Sequence, residues 1–473
     1  MRQGSDLSSL ASRGSAIHLV GIGGAGMSGL ALLLQARGAK VSGCDRQKSE
    51  ATEDLEGHGI EVYSGHAPDH VAGQAAIVHT AAVPEDHAEL RAARTAGLLV
   101  LKRSLALAEI VNAGRQVAIA GTHGKTTTTA LAALALEACG VAPTALVGGR
   151  VPAWGGNALI GDGKTFVVEA DEYDRSFLAL RPFIAVVTSV EPEHLDTYRS
   201  QAELEAAFDE FVNRVPAGGR VIVCGDDPGA SRRLAAVSDE KRLSYGLSDH
   251  AQLRAEAVTN TPECTRFSAT WENRPLGEFE LALPGNHNLR NALAVLGVLL
   301  ALALEPQAAA PALAEFTGVE RRFQRLGESG GILVVDDYAH HPTEVRATLA
   351  AARQVFGERR LVVAFQPHLY SRTQAFATDF GRSLATADMV FVTAIYPARE
   401  RPLPGVTADL IVRSAVEAMG SGRVVQVETL VDLVQRLRQE LREGDVLLTL
   451  GAGDIGRVAH EVLAELKRSH VDA

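Results

Sequence analysis

Short apolar runs alternate with longer Ala- and Leu-rich stretches along the whole chain. The runs IHLV, VAIA, TFVVE, ILVVD, LVVAF and VLLTL have the length of strands buried on both faces. Each is followed by residues with helical patterning, as in MSGLALLLQARG and ALAALALEACG. Strand–helix alternation of this kind predicts an α/β fold with parallel sheets. No short-period repeat or low-complexity tract interrupts it.

Three glycine-rich junctions stand between a predicted strand and a predicted helix: AIHLVGIGGAGMSG (16–29), QVAIAGTHGKTTTT (116–129) and DVLLTLGAGDIG (445–456). The first two open predicted domains, and the third lies near the end of the last one. Seams are predicted near 103–115 and 317–325. GVERRFQRLGE reads as a charged connector between a helix and a new strand.

In the first junction Gly21, Gly23 and Gly26 spell GxGxxG directly after a strand. Glycines there permit a tight turn and let backbone N–H groups approach a diphosphate at a helix N-terminus. The bland alternative is a turn packed against its own sheet. Asp45 lies where dinucleotide folds place a ribose-binding acid, and is equally a polar strand end.

The second junction is more specific. Lys125 follows Gly124 and precedes Thr126, so its amine can reach β/γ-phosphates while the threonine hydroxyl faces Mg²⁺. The usual pattern has an earlier glycine, with four residues between it and the Gly-Lys pair. Ile119 stands there and Gly121 comes instead, so the loop is a shortened variant. Two acidic segments are candidates for the metal. TFVVEADEYDRSF places Glu169 at a strand end, where open α/β sheets bind ligands. AVVTSVEPEHLDTY is expected to be an adjacent strand ending in Glu193, His194 and Asp196. Mg²⁺ prefers oxygen, which makes an imidazole an unusual partner; a solvated acidic loop is the alternative.

Composition narrows the class. At about 150 residues per domain, 473 residues correspond to about three domains. The chain is 46% hydrophobic and 22% charged, ordinary for a globular protein. A net charge of −11 argues against a duplex-DNA surface, and no nucleic-acid partner is expected. Cys44, Cys139, Cys224 and Cys264 are scattered, with no CxxC, which fits a reducing cytoplasm better than a zinc or disulfide framework. No signal peptide or membrane span is read, so no membrane insertion is expected.

Taken together, GIGGAGMSG, AGTHGKTTTT, EADEYDRSFL, EPEHLDTY, PGNHNLRNALA, VDDYAHHPTEV, FQPHLYSRT and GAGDIG, in that order, resemble the Mur ligases over nearly the whole length. The resemblance implies three domains: a Rossmann-like UDP-sugar-binding domain (1–106), a central P-loop ATPase domain with a mostly parallel sheet (107–318), and a Rossmann-like C-terminal domain that binds the amino acid (319–473). It implies ATP, UDP-N-acetylmuramate and L-alanine as substrates, Mg²⁺ as cofactor, and a monomer or homodimer.

The same resemblance assigns residues. Gly21, Gly23, Gly24, Ala25, Gly26, Met27 and Asp45 would hold the UDP-sugar. Gly121, Thr122, His123, Gly124, Lys125, Thr126 and Thr127 would hold the ATP phosphates, with Thr126, Glu169 and His194 on the metal. His287, Asn288 and Asn291 would face the ATP base. For Asn288 a helix N-cap, and for Asn291 a polar helix face, are the alternatives. Asp337, Tyr338 and His340 would sit where the C-terminal domain meets ATP and the amino acid; capping ahead of Pro342, the expected first helical residue, is the alternative. His368 and Arg372 would bind the amino acid, Arg372 through its carboxylate; the alternative is an exposed strand-end loop. Lys125, His340 and Arg372 are the expected catalytic residues.

The sequence departs from family patterns twice. Leu369 stands where some relatives carry a basic residue. No lysine occurs between Lys164 and Lys241, where several later-acting members use a carbamylated lysine. The second departure is expected of the alanine-adding branch. Three rivals remain: a recycling ligase adding a whole peptide to the same sugar nucleotide, a nicotinamide dehydrogenase that would leave Gly-Lys-Thr without work, and a non-enzymatic nucleotide switch.

Overall fold

The structure, a computed structural model, describes residues 6–193, 197–398 and 400–471. These fall into two compact units. One comprises the chain up to Val258 with Phe267–Leu281 and Arg290–Thr317; the other comprises Thr259–Arg266, Ala282–Leu289 and the chain from Gly318.

The expected α/β alternation is present over most of the chain, but not over 242–281, where four strands follow one another with no helix between them. The first sheet has five strands: β1 (Ala16–Val20), β2 (Lys40–Asp45), β3 (Glu61–Ser64), β4 (Ala76–His79) and β5 (Leu99–Lys102). They are all parallel, in the order β3-β2-β1-β4-β5. Chain direction across the sheet reverses between β1 and β4, and the first glycine loop leaves the carboxyl end of β1. Ligands bind at such switch points in open α/β sheets.

The second sheet has ten strands. β6 (Arg115–Ala120) lies between β9 (Thr165–Glu169) and β10 (Ile184–Val187). Beyond β9 come β7 (Thr144–Val151) and β8 (Gly156–Leu159); beyond β10 come β11 (Arg220–Cys224), β12 (Arg242–Gly246), β13 (Leu253–Asn260), β14 (Thr265–Trp271) and β15 (Arg274–Leu281). From β13 to β7 the strands are parallel, and β8 pairs antiparallel with β7. The expectation of adjacent strands carrying Glu169 and His194 is corrected here: β9 and β10 flank β6 on opposite sides. The expected long strand also stops at Val187, because Thr188–Glu191 turns to cap the loop after β6, as described below.

The third sheet comprises β16 (Gln324–Ser329), β17 (Ile332–Asp337), β18 (Leu361–Phe365), β19 (Met389–Thr393), β20 (Val424–Val427) and β21 (Val446–Leu450), in the order β16-β17-β21-β18-β19-β20. Only β16, at the edge, runs antiparallel. The expected connector GVERRFQRLGE is therefore in part a strand, with Gln324–Ser329 pairing onto β17.

Alternation along these strands explains why they read as unbroken apolar runs. Leu333, Val335, Val363, Phe365, Leu448 and Leu450 face helices Pro342–Phe356, Tyr370–Leu384 and Asp409–Met419. Val334, Val362, Ala364 and Leu447 face helices Leu430–Glu440 and Gly456–Val471. Both faces are covered, so both alternate sets must be apolar. Each large side chain so buried contributes about 1.5–3 kcal/mol. Among the described residues no helix is long and apolar enough to cross a membrane.

Candidate active site

At the first glycine loop the backbone requires glycine twice over. Gly21 has φ +80°, and a Cβ there would lie 2.6 Å from Thr80 Cγ2. A Cβ on Gly26 would lie 2.8 Å from Nη1 of Arg103, so a guanidinium lies against this loop. Gly24 precedes helix Ala25–Ala36, whose Met27 is buried. The N–H of Gly23 donates to Asp45 Oδ2 at 2.9 Å, and Arg46 N–H donates to Oδ1 at 2.7 Å. Asp45 thus pins the loop itself. Arg103 was not singled out from sequence; its signal was the Lys102–Arg103 pair at the end of β5.

The first turn of this helix is tied to the second sheet within the same unit. Asn157 Nδ2 donates to Ala25 O and, at 2.8 Å, to Ser28 Oγ. Lys102 Nζ lies 3.3 Å from Asp174, and Arg103 lies 4.0 Å from Asp171. Both acids belong to the segment after β9.

The loop after β6 is fastened from outside. Gly121 has φ +128°, and a Cβ there would collide with Thr188 Oγ1. Thr122 N–H donates to Ser189 O at 2.9 Å, His123 N–H to Ser189 Oγ at 3.0 Å, and Glu191 N–H to Thr122 Oγ1 at 3.0 Å. The Thr188 hydroxyl donates to His123 O, and His123 Nε2 lies 3.2 Å from Glu191 Oε2. Gly124 (φ +80°) starts helix Lys125–Ala138, with Thr126 and Thr127 buried in its first turn. A Cβ on Gly124 would lie 2.7 Å from Asn291 Oδ1, which places Asn291 against this turn.

Lys125 folds back on its own loop. Its ammonium donates to Gly121 O at 2.6 Å, Thr122 O at 3.3 Å and both oxygens of Glu172 at 3.0 Å. Burial works to lower its pKa, but Glu172, Asp171 and Glu169 outweigh it and hold the group charged, above the ordinary lysine value. Glu172 is itself buried, and the buried Tyr198 hydroxyl donates to its backbone carbonyl at 2.7 Å. Glu172 was not among the residues expected from EADEYD, where Glu169 was; a run of acids gives no sign of which one turns toward the lysine.

Glu169 ends β9 opposite Ile119, beside the start of the loop after β6, and accepts from Gly148 N–H at 2.8 Å. His194 and Asp196 lie outside the described residues.

In helix Asn286–Ala301, Asn288 stands in the first turn and is not the cap. Its Nδ2 donates back to Pro284 O at 2.8 Å. His287 lies close by, its Cε1 3.0 Å from a Cβ built on Gly285.

The C-terminal candidates gather at the carboxyl ends of β17 and β18. Asp337 is buried and accepts from Phe323 N–H at 2.6 Å and Ala339 N–H at 2.7 Å, so both oxygens clamp backbone. Burial pushes its pKa up to about 6, against the pull of Arg322 and these two N–H groups. The guanidinium carbons of Arg321 and Arg322 each lie 5.1 Å from the centre of the Tyr338 ring. His340 Nδ1 lies 2.9 Å from Tyr338 O and 3.2 Å from Glu344 Oε2. Its ring meets that of His368 edge-on at 5.9 Å, and His368 stacks on Tyr396. Arg372, buried in the first turn of Tyr370–Leu384, places Nη1 3.2 Å from His368 Nδ1. As expected, Pro342 opens its helix, capped by His341. Leu369 adopts φ +72° just before the helix of Arg372.

The third glycine loop holds side chains of its own domain. Cβ atoms on Gly451 and Gly453 would meet Gln366, and on Gly453 also Tyr396. Arg321 donates to Gly451 O at 2.6 Å and Gly453 O at 3.1 Å.

Three family models match along this chain: "Mur ligase family, catalytic domain" over 16–115, "Mur ligase middle domain" over 119–299, and "Mur ligase, glutamate ligase domain" over 321–453. The chain belongs to the Mur ligase family. It is 45% identical over 453 residues to the UDP-N-acetylmuramate–L-alanine ligase of Salinibacter ruber, covering 95% of this chain and 94% of that protein. It is 44% identical to the same-named protein of an Anaeromyxobacter species, covering 96% and 99%. Among solved structures, the UDP-N-acetylmuramate–alanine ligase of Thermotoga maritima matches with TM-score 0.82 and 29% identity, covering 96% of this chain and 100% of that one. A murein peptide ligase from Psychrobacter arcticus shares the fold with TM-score 0.70 and 24% identity, covering 96% and 99%. The three-domain α/β architecture expected of a Mur ligase is therefore present, with one mostly parallel sheet before and one after the sheet that carries the Gly121–Thr127 loop in chain order.

Proposed function

We propose that this Mur ligase joins L-alanine to UDP-N-acetylmuramate at the expense of ATP, as a step in building peptidoglycan precursors. The observation that carries the reading is near-full-length similarity to alanine-adding ligases, with a strand–loop–helix phosphate site inside the matched region. The peptide-adding alternative rests on a more distant structural likeness. A nicotinamide dehydrogenase would give Lys125 and its acids nothing to do.

A carboxylate does not condense with an amine in neutral water without activation. In the proposed reaction a carboxylate oxygen of the muramoyl group attacks the γ-phosphorus of ATP. ADP leaves, and an acyl phosphate forms. The alanine nitrogen then attacks the acyl carbon and inorganic phosphate departs. Lys125 neutralises phosphate charge during the first step. Glu169, the Thr126 hydroxyl and the acids around them suit a hard divalent cation. Thr126, Glu169 and His194 would hold Mg²⁺, which when bound supplies further charge neutralisation on the phosphates. Gly121–Thr127 hold the phosphates, His287, Asn288 and Asn291 serve the base, and Asp337 joins the nucleotide residues by clamping the backbone of its own domain. Gly21–Met27 and Asp45 serve the sugar nucleotide.

In the C-terminal domain Tyr338, His340, His368 and Arg372 form the alanine pocket, Arg372 taking the carboxylate. His340 is the candidate to receive the amine proton, since its Nδ1 faces a carbonyl and its lone pair falls on Nε2. Domain limits of 1–106, 107–318 and 319–473 go with this division of labour, as does a cytoplasmic location beside the nucleotide pools.

Phosphate release tests the reading. It is followed with UDP-N-acetylmuramate, ATP and a panel of amino acids and murein peptides. L-Alanine is the expected acceptor. A preference for a peptide assigns the recycling reaction instead, and release that ignores every acceptor points to a nucleotide switch.

A further inference from the structure

Behind the first glycine loop lies a cluster of histidine, cysteine and glutamate side chains that the proposed reaction does not use. Its centre is Glu89, on helix Ala88–Thr95, which is completely buried. The carboxylate is 2.7 Å from His70 Nδ1 and 3.3–3.4 Å from Cys44 Sγ, and it accepts from Ala67 N–H at 2.9 Å. His66 Nδ1 and His87 Nδ1 follow at 3.7 Å and 3.8 Å. His18, from the middle of β1, completes the group. One donor atom from each of His18, Cys44, His70 and Glu89 lies within 4.8 Å of the other three.

Two observations make this more than a polar patch. A carboxylate removed from water needs a counter-charge. The ion-pair partners of Glu89 among the described residues are all imidazoles, with no lysine or arginine. The second observation is His18. Its Nδ1 lies 2.9 Å from Ser42 Oγ, while Nε2 is buried and has no hydrogen-bond partner in the structure. A histidine with one nitrogen tied to a hydroxyl and the other held unsatisfied in a buried polar group has the arrangement of a metal ligand oriented by its outer partner.

The donor set selects the ion. A thiolate and imidazoles favour zinc over Mg²⁺ or Ca²⁺, which take oxygen. Zinc ligand distances of about 2.0–2.3 Å give tetrahedral edges of about 3.3–3.7 Å. The Cys44–Glu89 separation already matches such an edge, and the His70–Glu89 pair needs to open only slightly. Thiolate and carboxylate together carry two negative charges, which balance a divalent ion. Binding transfers the Cys44 thiol proton to solvent.

We propose that His18, Cys44, His70 and Glu89 form a structural zinc site that braces the first glycine loop. The ion links β1, β2, the segment after β3 and helix Ala88–Thr95. Its connection to the loop is short: the Cys44 carbonyl accepts the N–H groups of Gly21 and Ile22 at 2.8 Å and 3.1 Å, and the next residue, Asp45, takes the N–H of Gly23. His66, whose Nδ1 is 3.2 Å from Cys44 Sγ, and His87 pair with the same carboxylate and stand beside this set.

The test uses the full-length chain, stripped with chelator, reloaded with Zn²⁺ or Co²⁺ and desalted. About one equivalent of zinc should remain by elemental analysis, with a raised thermal midpoint. The cobalt form should show a thiolate-to-metal absorption band in the near ultraviolet. Cys44→Ser should abolish that band and weaken zinc binding by at least the roughly ten- to a hundredfold that loss of a ligand's outer partner costs. Partly exposed His70 allows a gentler second variant: His70→Asn should keep the band and weaken affinity. Failure to retain zinc, or a cobalt band that survives Cys44→Ser, overturns the site and leaves a carboxylate–imidazole cluster. Zinc affinity unchanged in both variants overturns it equally, even if one of them folds poorly.

Discussion

Arg372 Nη1 faces His368 Nδ1 at 3.2 Å, and this contact sets the proton on the imidazole. A guanidinium only donates, so His368 Nδ1 holds a lone pair and Nε2 carries the hydrogen. His340 has the opposite arrangement, because its Nδ1 faces the Tyr338 carbonyl and the Glu344 carboxylate. In the neutral tautomers these contacts select, the two imidazoles, 5.9 Å apart, carry opposite character at Nε2, a donor on His368 and an acceptor on His340. An amino acid offers complementary groups, a carboxylate and an amine.

Arg372→Lys keeps the positive charge and loses the fork that can meet a carboxylate with two parallel hydrogen bonds. A charge-assisted bond of this kind is worth about 1.5–3 kcal/mol. With Leu369 offering no second cation, KM for L-alanine should rise by about tenfold or more while the KM values for ATP and UDP-sugar hold. A rise in the ATP KM instead would make Arg372 a nucleotide residue.

Lys125→Ala should abolish phosphate release while leaving UDP-sugar binding intact. The two ligands are proposed to use different glycine loops, and among the described residues the Lys125 ammonium hydrogen-bonds to its own loop and to Glu172. Calorimetry is the check: loss of UDP-sugar binding in the variant would mean the loops do not act separately.

Much of this was written in the chain. Strands such as ILVVD and LVVAF are apolar at every position because helices cover both sheet faces, so their pattern alone located them. The loop from Gly121 to Thr127 was legible because strand, glycine, lysine and helix coincide. The acids after β9 were legible as a group only, since chain order does not show that Glu172 turns inward to Lys125. The strand ending at Val187 was read too long because Thr188–Glu191 looks extended, yet its polar atoms bind Thr122 and His123. The third glycine loop looks like the other two in sequence. Its glycines answer to Gln366, Tyr396 and Arg321, contacts that arise only in three dimensions.

Asp337 should make stability pH-dependent. Its folded pKa is raised to about 6 from the ordinary 3.8. Between those values the unfolded chain releases a proton that the folded chain keeps. This group therefore costs no stability below about pH 4, and the cost grows as pH rises to about 6, reaching on the order of 3 kcal/mol. In Asp337→Asn the unfolding midpoint should change less across this window than in the wild type. Parallel profiles would show that Asp337 titrates normally.

The last prediction concerns Glu172. It holds the Lys125 ammonium through both carboxylate oxygens at 3.0 Å, the ammonium that ATP phosphates are proposed to engage. ATP must then compete with a buried carboxylate for one cation. Glu172→Gln preserves size and leaves a neutral acceptor, and Tyr198 still anchors the backbone at this position. Exchanging a charged for a neutral partner weakens the hold on Lys125 by about 1 kcal/mol or more. ATP should bind several-fold tighter in calorimetry, with the turnover rate lowered because Lys125 is less firmly placed. Weaker ATP binding would mean that Glu172 assists the nucleotide site, by sharing the metal with Glu169, and does not compete for the lysine.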